Sequence, residues 1–278
     1  MSRHHDAREL KAEGLHLRYD RELVVHGIDI EIPAGKITVI VGANGSGKST
    51  TLRGLSRLLK PSSGSVTLDG HDIHSMPAKK LAQMIGLLPQ HPTAPDGITV
   101  ADLVSRGRHP HHTWIRRRDH DDDAVVAAAL RATSMIEFAD RPVDQLSGGQ
   151  RQRVWIAMAL AQDPDILLLD EPTTYLDLTH QIELLDLLTE LNTTYSTTVV
   201  MVLHDLNLAA RYADHLLVMA AGRVAGEGMP RDVLTPGMLS AAFGLESLVI
   251  DDPATSAPLI VPIGRFHCRP HPSIQEAS

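Results

Sequence analysis

With 278 residues, 43% hydrophobic, 22% charged and only 3% aromatic, the chain holds enough apolar material for one large globular domain or two small ones, and it is not a disordered chain. Lys and Arg total 26 against 34 Asp and Glu, a net charge of −8, which argues against a broad basic surface for nucleic acid or for an anionic bilayer. A single cysteine, Cys268, excludes an internal disulfide and a C-x-x-C metal site and points to a reducing compartment, while the 16 histidines would reverse the net charge in mildly acidic buffer.

The N-terminus, MSRHHDARELKAEG, carries no apolar stretch of the kind a signal peptide needs. Residues 15 to 19 (LHLRY), 28 to 32 (IDIEI) and 66 to 68 (VTL) alternate or carry β-branched side chains between turn signals, predicting half-buried antiparallel strands. Residues 37 to 41 (ITVIV), 166 to 169 (ILLL) and 198 to 203 (TVVMVL) are continuous apolar runs, each followed by polar residues and a helical pattern, which predicts central parallel strands covered on both faces. Between them, residues 121 to 138 and 149 to 161 read as helices, with Asp121, Asp122 and Asp123 at the start of the first, so an α-helical insertion interrupts an α/β core. No apolar run approaches the roughly 18 residues of a membrane span, so any membrane role is expected through a partner. The polar tail from Arg269 to Ser278 is expected to fray.

Residues 42 to 49 read GANGSGKS and match G-x-x-x-x-G-K-[ST], directly after the strand ending at Val41 and before the helix-like TTLRGLSRLL. Gly42, Gly45 and Gly47 can take positive φ and, with Ala43, Asn44 and Ser46, turn backbone N–H groups onto phosphate oxygens. The helix that follows adds its positive end. Lys48 supplies a point charge for the β- and γ-phosphates, Ser49 a hydroxyl for Mg²⁺, and Thr50 a hydroxyl near the α-phosphate.

Residues 166 to 171 read ILLLDE, so a buried strand delivers two carboxylates where α/β sheets bind ligands. Asp170 is placed to join the Mg²⁺ shell and Glu171 to polarise an attacking water. Residues 146 to 153 read LSGGQRQR, where Ser147, Gly148 and Gly149 at a helix start, with Gln150, offer a second anion-binding concavity.

The phosphate loop, LSGGQ, ILLLDE and His204, in this order, resemble the ATPase subunit of an ABC transporter over residues 10 to 250. The resemblance implies a P-loop NTPase (RecA-like) α/β core with an N-terminal antiparallel β subdomain and an α-helical subdomain inserted at about 91 to 163, leaving 251 to 278 as an extension. It implies ATP and Mg²⁺ as cofactors and a head-to-tail homodimer in which the LSGGQ concavity of one subunit faces the γ-phosphate of the other. It further implies that Tyr19 stacks on adenine, Gln90 contacts Mg²⁺ and the water, Asp177 crosses the dimer interface and His204 contacts the γ-phosphate. Tyr175 in TTYLD, with residues 98 to 112 (ITVADLVSRGRHPHH), VLHDLNLAARYADHLLVM and RVAGEG, is similar to the iron-siderophore and vitamin B12 importer branch.

That branch implies a peripheral subunit at the cytoplasmic face of the membrane, working with permease subunits and, indirectly, a periplasmic or surface substrate-binding protein, and no nucleic acid. An iron(III)-siderophore is the expected cargo, with cobalamin, haem or another metal chelate as alternatives. A soluble ABC protein of DNA repair or translation is the competing class; it usually carries two cassettes or a long coiled-coil insertion. A P-loop kinase or GTPase leaves LSGGQ unexplained. His109, His111 and His112, broken by Pro110 and followed by Arg116, Arg117 and Arg118, read as an exposed loop rather than a metal site. Ile98, Val100, Leu103 and Val104 recur at helical spacing and fit either a subdomain core or a permease contact, and the resemblance favours shared use. The stretch from Gln90 through Trp114 is the expected coupling segment.

Overall fold

The computed structural model describes residues 8–112, 120–174 and 176–264. Tyr175, Trp114, Arg116 to Arg118 and the tail from Arg269 lie outside the described residues. In chain order the elements are β1 (Leu10–Tyr19), β2 (Glu22–Ile32), β3 (Ile37–Gly42), α1 (Lys48–Leu55), β4 (Ser63–Leu68), β5 (His71–Asp72), α2 (Ala78–Met84), β6 (Ile85–Leu88), α3 (Val100–Ser105) and α4 (His120–Ala132). They continue as α5 (Gly148–Ala161), β7 (Ile166–Asp170), α6 (Leu178–Tyr195), β8 (Thr198–Val202), α7 (Leu206–Tyr212), β9 (His215–Ala220), β10 (Arg223–Gly228), α8 (Pro230–Val233), α9 (Pro236–Phe243), β11 (Ser247–Asp251) and β12 (Pro258–Pro262).

Six strands form the central sheet in the order β10-β9-β3-β8-β7-β6, parallel except for the edge strand β10. Its apolar runs have no polar face because both faces are covered. Val39 and Val41 of β3, Leu167 and Leu169 of β7, and Val199 and Met201 of β8 join one buried cluster with the helices. The alternate residues Ile40, Leu168, Val200 and Val202 join a second cluster with β1, β2, β4 and α1. The expected antiparallel unit is the four-stranded sheet β2-β1-β4-β5.

The first predicted helix of the insertion is shorter than residues 121 to 138 suggest. α4 stops at Ala132, where Ser134 takes a left-handed φ of 56°, and residues 136–138 form a separate 3₁₀ turn. Val100, Leu103 and Val104 of α3 are buried, none more than 2% exposed, in the cluster that includes Leu130 of α4 and Val154 of α5. They are subdomain core, and a partner cannot share them. Only Ile98 of that set is partly buried.

The chain continues past residue 250 in a hairpin. β11 and β12 pair as a hairpin from Ser247↔Pro262 to Asp251↔Pro258, straddling the expected boundary at residue 251. The hairpin is fastened to α7 by Asn207, whose amide donates to Ile260 O (3.3 Å) and whose Oδ1 accepts from Ile260 N (2.7 Å). Arg211 on the same helix binds Asp252 at 2.6 Å.

Candidate nucleotide site

The loop after β3 is shaped by positions that tolerate no side chain. A Cβ on Gly42 would lie 2.2 Å from the Met219 carbonyl oxygen of β9, and Gly45 and Gly47 take φ of 76° and 99°, open to glycine without strain. The loop curls around the first residue of α1, so that Lys48 Nζ donates to Gly42 O (2.9 Å) and Ala43 O (3.1 Å). Burial pushes the Lys48 ammonium below the usual lysine range, against the opposing pull of Glu171 and Asp170. The Ser46 hydroxyl is buried without a partner among the described residues.

Asp170, at the end of β7, is 2% exposed, and its Oδ1 makes no hydrogen bond among the described residues. Burial raises its carboxyl above the usual range, while the Ser49 hydroxyl and the charges of Arg53 and Lys48 pull it down. An unpaired buried carboxylate oxygen beside a hydroxyl is a fitting oxygen-donor set for a hard divalent cation.

Glu171 sits one residue beyond the strand with a left-handed φ of 53°, which swings its carboxylate out of the sheet. Its Oε2 accepts from Gln90 Nε2 at 2.6 Å and from Thr174 Oγ1 at 3.3 Å, and its Oε1 lies 2.6 Å from His204 Nε2. Gln90 follows β6, Glu171 follows β7 and His204 follows β8; these strands are neighbours, so residues far apart in sequence meet at their carboxyl ends.

The LSGGQ residues form a different group. Ser147 caps α5 by accepting from Gln150 N (3.2 Å), and Gln150 Oε1 accepts from Ser147 N (3.1 Å), a reciprocal capping box. Beside Gly148, the first residue of the helix, a Cβ would meet only open space. Asp177 caps α6, and a cleft of about 380 Å³ joins Ser147, Gly149, Gln150 and Arg153 to Asp177 and His180. None of residues 42 to 50 lines this cleft. Tyr19, 41% exposed, is tied to α1 through its hydroxyl, which accepts from Arg53 at 3.0 Å.

Three partnerships escape the sequence. Thr174 braces Glu171, His180 pairs with Asp177 Oδ1 at 2.7 Å, and Arg108 binds Asp122 at 2.8 Å. The histidines of the 109 to 112 stretch are not simply an exposed loop, since His111 Nε2 contacts Gln162 O at 2.7 Å and His112 Nε2 pairs with Asp122 Oδ2 at 2.9 Å. Asp122 is thus a buried ion-pair partner rather than a solvated helix-start residue. An Asp-x-x-His spacing at a helix start was the only local signal for His180.

The family model described as ABC transporter matches residues 25–174, and the chain belongs to that family as an ATP-binding, ATP-hydrolysing component. The petrobactin import ATP-binding protein of Bacillus anthracis is 50% identical over 256 residues, covering 92% of this chain and 94% of the relative. The ferric enterobactin transport ATP-binding protein of Escherichia coli is 49% identical over 256 residues, with the same two coverages. Among solved structures, an inward-facing metal-chelate type ABC transporter superposes with a TM-score of 0.80 at 30% identity, covering 93% of this chain and 98% of the other. A dimeric bacterial ABC transporter cassette gives 0.72 at 29% identity, over 79% and 98%.

Proposed function

We propose that this chain is the ATPase subunit of an iron(III)-siderophore importer, acting as an ATP-sandwiched homodimer on the cytoplasmic face of a separate membrane permease. The observation that carries the reading is the convergence of Gln90 and His204 on the two oxygens of Glu171, beside the Lys48 loop and away from the LSGGQ cleft. The petrobactin and enterobactin names of the two relatives support a siderophore as cargo. No described helix is long and apolar enough to cross a membrane. A substrate-binding protein outside the membrane completes the proposed system.

In this reading the backbone from Gly42 to Gly47 wraps the β- and γ-phosphates, Lys48 exchanges its carbonyl partners for phosphate oxygens, Thr50 reaches the α-phosphate and Tyr19 stacks on adenine. Glu171 accepts a proton from the attacking water, and His204 and Gln90 hold its two oxygens in line. Ser49, Asp170 and the amide oxygen of Gln90 would hold Mg²⁺, which supplies neutralisation of phosphate charge. Ser147, Gly148, Gly149 and Gln150 contact the γ-phosphate held by the other subunit, and Asp177 crosses the interface. Residues 10 to 250 make up the cassette, and the helical part within 91 to 163 meets the permease.

The test pairs two variants. Glu171→Gln is expected to keep ATP affinity, lose at least about 100-fold in turnover and accumulate an ATP-bound dimer, whereas Lys48→Ala weakens binding itself. Near-normal hydrolysis by Glu171→Gln removes Glu171 from its role. Loss of radio-iron siderophore uptake on deletion of the chain, restored by the wild type only, tests the cargo.

A further inference from the structure

We propose that His180 is a positioning residue for hydrolysis, fixing one oxygen of Asp177 so that the other is presented to the second subunit. The proposal rests on the reading of Asp177 as the residue that crosses the dimer interface.

Asp177 Oδ1 accepts two hydrogen bonds from His180, one from the backbone N–H at 3.0 Å and one from Nδ1 at 2.7 Å. The backbone bond alone is an ordinary helix cap. Thr235 caps α9 in the same way, accepting only from the Met238 N–H, whereas at α3 Thr99 accepts from the Asp102 N–H and also donates its hydroxyl to Asp102 Oδ2 at 2.8 Å. The imidazole contact is therefore additional to capping. Burial does not explain it either, because the His180 side chain is 43% exposed and that of Asp177 is 67% exposed.

Both donors act on Oδ1, which fixes the plane of the carboxylate. Oδ2 makes no hydrogen bond among the described residues and is left for a donor outside the chain. The pair lies in the cleft that also holds Ser147, Gly149 and Gln150, the surface proposed to meet the partner's nucleotide. Arg153 of α5, paired with Glu183 of α6, also acts on Asp177 through its charge. The His180 N–H, then its ring, hold the Asp177 carboxyl below the usual range, so the presented oxygen carries charge.

The experiment measures ATP turnover of the full-length protein for wild type, His180→Ala, His180→Asn, Asp177→Ala and the Asp177→Ala/His180→Ala double variant, with thermal midpoints alongside. Asparagine places its amide nitrogen close to the position of imidazole Nδ1 and keeps the donor. His180→Ala is expected to lower kcat about tenfold with KM for ATP and the melting midpoint unchanged. His180→Asn is expected to recover to within about twofold, and His180→Ala to have no further effect once Asp177 is alanine. Wild-type kcat for His180→Ala, additive losses in the double variant, or no rescue by asparagine would each overturn the proposal. Wild-type turnover by Asp177→Ala would overturn the Asp177 reading and the proposal with it. A slow Asp177→Ala beside a normal His180→Ala would overturn the proposal alone.

Discussion

Arg108 Nε lies 2.8 Å from Asp122 Oδ1, and each side chain is only 11% exposed. The same guanidinium donates to Ala161 O at 2.9 Å, so it ties α4 to the last residue of α5, while Asp122 also holds His112. Asp122→Ala would leave a buried cation without its main partner. A loss of roughly 3 kcal/mol is expected, lowering the melting midpoint by about 6 to 12 °C. A change under about 1 °C in thermal unfolding would mean that the pair is no stronger than a solvated one.

Leu103 is 2% exposed within the helical subdomain core. Leu103→Glu is expected to abolish folding or cost more than about 4 kcal/mol in denaturant unfolding, while Leu103→Met stays within about 1.5 kcal/mol. A folded, thermally normal Leu103→Glu protein defective only in permease binding would instead make the leucine a partner contact.

Separation of the LSGGQ cleft from the Lys48 loop makes a mixing experiment decisive. Lys48→Ala and Ser147→Arg homodimers are each expected to be inactive. Their equal mixture rebuilds one intact site in each heterodimer, giving roughly a quarter of wild-type turnover if subunits pair at random. Turnover that stays at zero on mixing, or strict proportionality to monomer concentration in the wild type, contradicts a shared site.

Asp170 links stability to pH. Its folded-state pKa is raised above 3.8, chiefly by burial, so the nucleotide-free fold binds this proton more tightly than the unfolded chain does. Its contribution to stability is present below pH 3.8 and is lost as pH rises through the raised value. At neutral pH the site therefore holds a charge at a penalty. Asp170→Asn is expected to raise the nucleotide-free melting midpoint at pH 7 by a few degrees and to abolish turnover. Mg²⁺ with nucleotide is expected to stabilise the wild type more than the variant; equal shifts would remove Asp170 from the cation shell.

What could be read from sequence follows from the range of the interactions. The loop at 42 to 49 depends on adjacent residues and on the strand and helix that flank it, so the local sequence locates it. The strand ILLLDE places Glu171 and the family resemblance implies Gln90 and His204, but their contact depends on β6, β7 and β8 being neighbours in the sheet. Helical spacing marked Leu103 and Val104 as apolar, yet periodicity is silent on whether a partner or the protein itself covers a stripe. The Arg108–Asp122 pair spans a segment with no repeating pattern, and Asp122 looks like any acid at a helix start. The spacing of Asp177 and His180 fits an ordinary helix cap as well as a ring contact, because a backbone bond and a ring bond leave the same trace in sequence.

The 14 residues of α5 run from the capping box at Ser147 to the end held by Arg108 and met by Gly107, where a Cβ would fall 2.2 Å from Met158 O. That is a rod of roughly 21 Å. A tilt of about 10° at the Ser147 end would carry the far end by roughly 4 Å, a bend that a jointed chain would absorb locally. The close backbone contact at Gly107 and the Arg108 bonds leave little slack there, so a rigid-body tilt of the helix would displace the segment from 106 to 112 together with it.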